Sequence, residues 1–234
     1  MLASLLVLIA FNFNSLGGIN VLASVFVVVL SSVIVDSLIG YVQFKRLYVS
    51  ETAIISGLVL SLVISPQTPL VFLIAAPAIA QLSKHVIRYK NKPVFNPAAF
   101  GMFLVFFFFP SGEAWWGNSI PLLALILGVY VSFRIARLFG SVSFLAGFVI
   151  FNAIQGGLQN AAFSFNSIIP LAASQLFLAL FMVVEPKSTT PRVDGQIVFG
   201  IVAALIAVAG FALNLPKPLL LGLLCANLVA TLYK

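Results

Sequence analysis

In a chain this apolar, the side chains able to do chemistry are few enough to weigh one at a time. Five stand out: Asp36, Glu51, His85, Asn96 and Glu185. Each lies in or at the edge of an apolar run, where a polar group costs enough that it usually marks a function or a partner. Glu51 and Glu185 are carboxylates that could take part in proton or cation movement; near a membrane edge they could equally be solvated. Asp36 lies deeper in its run, with Ser31, Ser32 and Ser37 nearby, and reads as a packed, hydrogen-bonded group. His85, beside Lys84, reads as an interfacial residue. Asn96 precedes Pro97, which is the grammar of a helix start, with asparagine as N-cap and proline at the first helical position. That grammar leaves a capping and a ligand-binding asparagine both open. A helix N-terminus aimed inward favours an anionic or acceptor-rich ligand. Thr190-Pro191 repeats the pattern in weaker form.

Other chemistries are excluded by what is missing. One histidine and one cysteine cannot build a zinc site from the usual ligands, so no metal set is expected. Cys225 alone allows no intramolecular disulfide. No glycine-rich nucleotide loop occurs. No strands are expected, so no serine sits on a strand-to-helix elbow. No catalytic residue is therefore assigned. Phe106 to Phe109, with Trp115 and Trp116 beyond them, read as lipid-facing surface and an interfacial aromatic anchor; a stacking platform for an aromatic cofactor is the other reading.

The elements that must position these residues follow from composition. Of 234 residues, 62% are hydrophobic and 7% charged, with a mean hydropathy of +1.19. A soluble domain carries roughly 25% charged residues, because its surface must face water. That excludes a soluble enzyme, a disordered chain and a nucleic-acid binder, despite the net charge of +7. Lipid is the expected surrounding. A helical span needs about 20 apolar residues, fewer where a helix is broken inside protein. Ten runs qualify, at 2–13, 19–42, 51–65, 69–88, 97–110, 119–137, 141–157, 167–184, 195–213 and 217–233. The apolar N-terminus lacks the basic n-region of a signal peptide and reads as the first of them.

The basic residues support that count. Lys45, Arg46, Lys84, Arg88, Lys90, Lys92, Arg134, Arg137, Lys187, Arg192 and Lys234 all fall in even-numbered connections, at the ends of even-numbered runs or at the C-terminus; Lys217 alone falls in an odd one. By the positive-inside rule, both termini and the even loops are cytoplasmic. The expected fold is all-α, a single polytopic transmembrane domain over 1–234 whose halves, about 1–112 and 113–234, are inverted because five is odd. Two landmarks recur between the halves. Ser65-Pro66 and Glu185-Pro186 end the third and eighth runs, with their prolines 120 residues apart. Asn96-Pro97 with Gly101, and Lys217-Pro218 with Gly222, open the fifth and tenth, with their prolines 121 apart. Inverted repeats place binding sites between halves, where helix ends meet.

Three stretches carry a resemblance. They are Ser50-Glu51-Thr52 through Ser65-Pro66; Lys84-His85 followed by Phe95-Asn96-Pro97-Ala98-Ala99-Phe100-Gly101; and Phe181-Met182-Val183-Val184-Glu185-Pro186 with Ser188, Thr190, Phe199-Gly200 and Ala226-Asn227-Leu228. Together they resemble the large membrane subunit of the Rnf and Na⁺-pumping NADH:quinone oxidoreductase complexes (RnfD/NqrB), over roughly residues 20 to 234. The resemblance implies a 5+5 inverted repeat similar to the urea-transporter fold, in the plasma membrane of a prokaryote. It also implies other membrane subunits as partners, in a complex coupling electron transfer to cation translocation. In that family a non-covalent riboflavin sits near the asparagine matching Asn96, which makes Asn96, Pro97 and Gly101 the cofactor-binding candidates. Carboxylates matching Glu51 and Glu185 are associated with quinone or cation handling. The family also attaches FMN to a threonine in a Ser-Gly-Ala-Thr motif. Here the fifth loop, Pro110-Ser111-Gly112-Glu113-Ala114-Trp115-Trp116-Gly117-Asn118, holds no threonine. The threonines are Thr52, Thr68, Thr189, Thr190 and Thr231, none in such a motif, so no covalent FMN is expected. The family's Gly-Glu-Thr-Ser segment is absent too, and Pro93 stands where a second asparagine would precede Asn96. The chain is a reduced version of the pattern. A small-solute or flavin carrier or channel on the same scaffold, without redox chemistry, is the alternative function.

Overall fold

Backbone N–H and C=O groups in lipid must be satisfied within a segment or a closed barrel, and the apolar runs meet that demand as helices. The structure, a computed structural model, describes residues 1–12, 18–45, 48–109, 112–158 and 173–233. Among them the α-helices are α1 (Leu2–Asn12), α2 (Ile19–Phe44), α3 (Glu51–Val63), α4 (Leu70–Val86), α5 (Pro97–Phe108), α6 (Pro121–Arg134), α7 (Leu138–Leu158), α8 (Ala173–Phe177, continued by a π-helical turn Leu178–Met182), α9 (Val193–Ala212) and α10 (Pro218–Ala230). Each expected run thus contains a helix, and the first six residues of the eighth run lie outside the described residues. Three helices, Ile19–Phe44, Leu138–Gly157 and Val193–Ala212, are long and apolar enough to cross a membrane by length and composition. Most of the others are apolar helices of 10–17 residues.

The chain divides into two compact units, Met1–Ile120 and Pro121–Lys234. In the first, α2 packs on α3 and α4, and α5 packs on α4. The buried stripe of α2 is Val21, Ser24, Val28, Ser32, Asp36 and Gly40, recurring every three to four residues and polar for half its length. Its outer side carries Phe26, Ile34 and Leu38, all exposed. Polar inside and apolar outside is the arrangement of a helix whose surrounding medium is hydrocarbon.

Local chemistry sets the helix ends. Proline disfavours helical backbone in the residue before it, and α3 stops at Val63, three residues short of Pro66. α5 starts as expected, with Pro97 at its first position and the Asn96 side chain accepting from the Ala99 N–H at 3.0 Å. The expectation of no strands needs one correction. Between α4 and α5, β1 (Arg88–Tyr89) and β2 (Lys92–Pro93) form a minimal antiparallel hairpin. Its turn residues, Lys90 and Asn91, have φ of 46° and 62°, the left-handed pair that matches strand twist in two-residue hairpins.

A second correction concerns the tryptophans. Trp115 and Trp116 are buried against protein, not exposed as an aromatic anchor would be. The Trp116 indole N–H lies 2.6 Å from the Ser61 carbonyl and 3.0 Å from that of Ile64, which satisfies acceptors that the end of α3 leaves without helical partners. Phe106 is buried as well, while Phe107 and Phe108 are exposed as expected of a lipid-facing surface.

The second unit repeats contacts found in the first. There α9 packs on α7 and on α10, and the π-helical turn of α8 packs on α6. A Cβ placed on Gly101 of α5 would stand 3.0 Å from the Ala80 nitrogen of α4 and closer still to the Ala76 carbonyl. A Cβ placed on Gly222 of α10 would stand 3.0 Å from the Ala207 nitrogen of α9 and closer to the Ala203 carbonyl. In both units a glycine four residues after the helix-starting proline lets one backbone lie directly on its neighbour.

Candidate functional site

The strongest concentration of charge in the interior of the first unit begins with helical spacing. Ser32 and Asp36 are four residues apart on α2, and Gln81, Lys84 and His85 are three and four apart on α4, so each set shares one helix face. Where α2, α3 and α4 pack together these faces meet. Lys84 Nζ donates to Asp36 Oδ1 at 2.7 Å, and His85 Nε2 lies 2.7 Å from the same oxygen. The Lys84 ammonium also reaches Thr52 Oγ1 at 3.1 Å and Gln81 Oε1 at 3.4 Å, so its three protons have three acceptors. Gln81 passes the polarity on, its Nε2 donating to Ser32 Oγ, which donates to the Ala53 carbonyl, both at 2.7 Å. Ser50 and Thr52 share a hydroxyl contact at 2.7 Å.

Burial rises inward through this cluster. The side chains of Lys84, His85 and Asp36 are 12%, 8% and 1% exposed. A carboxylate taken out of water needs a partner charge and hydrogen bonds, and Asp36 receives both on one oxygen. Its other oxygen, Oδ2, is buried and has no hydrogen-bond partner. His85, expected at the interface, is instead a hydrogen-bond partner of Asp36, and Asp36 is the packed group the sequence indicated.

The other candidates lie as follows. Glu51 is the first residue of α3 and exposed, where a carboxylate complements the positive helix end. Asn96 is buried as the cap of α5, Pro97 is buried at its first position, and Gly101 is pressed on α4. Glu185 belongs to the second unit, half-buried after the π-helical turn. Ser188 Oγ donates to its Oε2 at 3.0 Å, and Thr189 Oγ1 donates to its carbonyl at 2.7 Å. The Thr190 hydroxyl accepts from the Arg192 N–H at 3.3 Å, while α9 itself starts at Val193 with Arg192 as N-cap.

Comparison with protein-family models and with curated proteins finds no match to this chain. The site must therefore be read from its own geometry.

The fit of a flavin can be tested on the three residues that the resemblance assigns to it. Asn96 Oδ1 already holds the Ala99 N–H, and the space a Cβ would fill at Gly101 is closed by the Ala76 carbonyl. At these positions the side chain of Asn96 and the missing Cβ of Gly101 start and pack a helix. Two recesses of the first unit, about 370 and 320 Å³, open instead near the α3–α4 loop, against Gln67, Pro66 and Thr68, at the far end of α3 from Asp36.

Sequence reasoning overlooked the pairing of Asp36 with Lys84. A usable signal was present. Asp36 is the sole carboxylate deep inside a run, and Gln81, Lys84 and His85 supply donors on one face of another helix.

Proposed function

We propose that this chain is a multi-pass membrane subunit of an Rnf/Nqr-type electron-transport complex, in the part that moves ions. The reading takes the ten helical runs as ten segments in two inverted halves, in a prokaryotic plasma membrane with both termini cytoplasmic. Support comes from the motif resemblance, from the polar-inside, apolar-outside α2, and from the matched Gly101 and Gly222 contacts in the two units. The observation that carries the ion-handling role is Asp36, buried among apolar helices and held by Lys84 and His85. Ionisable groups at such positions mark ion and proton pathways in membrane proteins. The role asks for no flavin in this chain, and no step here runs through one.

The test is purification of the full-length tagged chain from its native membrane in mild detergent, followed by turnover of the complex in liposomes. Co-purification of membrane subunits that carry redox cofactors is expected. Asp36→Asn should leave that assembly intact and slow redox-driven ion movement by about a hundredfold, the lower range for losing a positioned proton-transfer group. A chain that purifies without redox partners and moves a solute by itself would establish the carrier reading instead. The missing FMN threonine is the specific observation that favours that second reading.

A further inference from the structure

We infer that Asp36, Lys84 and His85 form a proton-transfer site, in which His85 takes up a proton at the rim of the cluster and hands one to Asp36. This rests on the ion-handling reading above and names the ion. Among the five carboxylates of the chain, Asp36 alone is buried. The groups that touch its oxygen are an ammonium and an imidazole nitrogen, both at 2.7 Å. A metal cation bound at Oδ1 would meet a positive nitrogen where it needs oxygen ligands, and no group of three His, Cys, Asp or Glu side chains placed to hold a metal ion occurs among the described residues. A proton faces no such conflict.

The transfer balances within the cluster. A carboxylate acceptor selects the imidazole tautomer with hydrogen on Nε2. A hydronium ion at the rim gives a proton to His85 Nδ1 and leaves as water, the Nε2–H bond breaks, and an O–H bond forms at Asp36 Oδ1. His85 ends uncharged with its tautomer switched, and Asp36 ends as the neutral acid. Lys84 keeps its acceptors on Thr52 and Gln81 and acts as a positioning residue whose charge favours return of the carboxylate. A half-turn of the carboxyl group about its Cβ–Cγ bond exchanges the two oxygens and carries the O–H to the side where Oδ2 stands buried without a partner.

Among the described residues, neighbouring elements bring no competing partner to Asp36. Glu51 on α3, Lys45 after α2, Tyr48 before α3, and Arg88, Lys90 and Lys92 of the hairpin are all exposed. The helices α1 and α5 carry no titratable side chain.

Infrared difference spectroscopy of the full chain in lipid, stepped in pH at fixed salt and then in NaCl at fixed pH, tests this. Acidification should raise a protonated-carboxyl band that Asp36→Asn abolishes. His85→Gln retains a donor for Oδ1 but cannot relay, so after a rapid pH jump the band should rise about a hundredfold more slowly. If Asp36→Asn does not fold, Asp36→Asn with Lys84→Met removes the charges together and gives the same spectral reading. Unchanged kinetics in His85→Gln, or no Asp36-dependent band, overturns the relay. A band that answers to NaCl rather than pH overturns the proton assignment and leaves ion handling standing. Loss of redox partners in the purification above would remove the electron-transport reading without touching this result.

Discussion

Asp36 carries one negative charge into an interior where the Lys84 ammonium supplies the covalently fixed countercharge. Removing one partner of such a buried pair leaves an uncompensated ion, at a cost of about 3–5 kcal/mol. Lys84→Met is therefore expected to destabilise the protein by that amount, and Asp36→Asn with Lys84→Met to recover most of it, since both charges then go together. Thermal unfolding in detergent across the double-mutant cycle gives the coupling directly. Asn96 makes a smaller contribution as the cap of α5. Asn96→Ala should cost about 1 kcal/mol in the same measurement, and Asn96→Asp or Asn96→Ser should restore it, because all three polar residues accept from the Ala99 N–H. Failure of those replacements to restore stability would give Asn96 a role beyond the cap.

Helix pairs are the level at which the two units resemble one another. The α4–α5 and α9–α10 pairs each rest on a glycine against a neighbouring carbonyl, Gly101 on Ala76 and Gly222 on Ala203. Because the obstructing atom is backbone, it cannot rotate away as a side chain would. Gly101→Ala and Gly222→Ala are each expected to destabilise by about 1–3 kcal/mol. Gly156 of α7 has nothing among the described residues within 4 Å of a Cβ, so Gly156→Ala should be neutral or slightly stabilising through helix propensity. Melting temperatures of the three variants check this, and equal losses at all three would refute the packing account. Pro97, Gly101, Pro218 and Gly222 announced this pairing in the sequence, because proline starts a helix and glycine permits close approach. Which alanines they meet was not legible, since a glycine records that space is short without recording what fills it.

At the scale of the whole molecule, the parity of the basic residues makes a prediction about sidedness. In a Cys225→Ala background, Gln67→Cys in the α3–α4 loop and Lys90→Cys in the hairpin should be labelled by an impermeant thiol reagent from opposite sides of the membrane, Lys90→Cys from the cytoplasm. Labelling of both from one side would dismiss the assigned topology. Three helices reach a membrane-crossing length, while α3 and α5 are shorter, as helices can be where their ends lie inside protein.

Composition and spacing by themselves determined that the chain is helical and apolar and that helices begin at Ile19, Glu51 and Pro97, and they offered Asn96 as the cap of α5. Those properties depend on residues within a turn or two of one another. Tertiary structure alone decided that Asp36 meets Lys84 and His85, 48 and 49 residues later, and that Trp116 closes the end of α3. Each of these pairs two groups whose compatibility is visible in the sequence but whose distance is not. Only helix packing sets which polar face turns toward which, and in a low-dielectric interior that choice separates a satisfied charge from an unaffordable one.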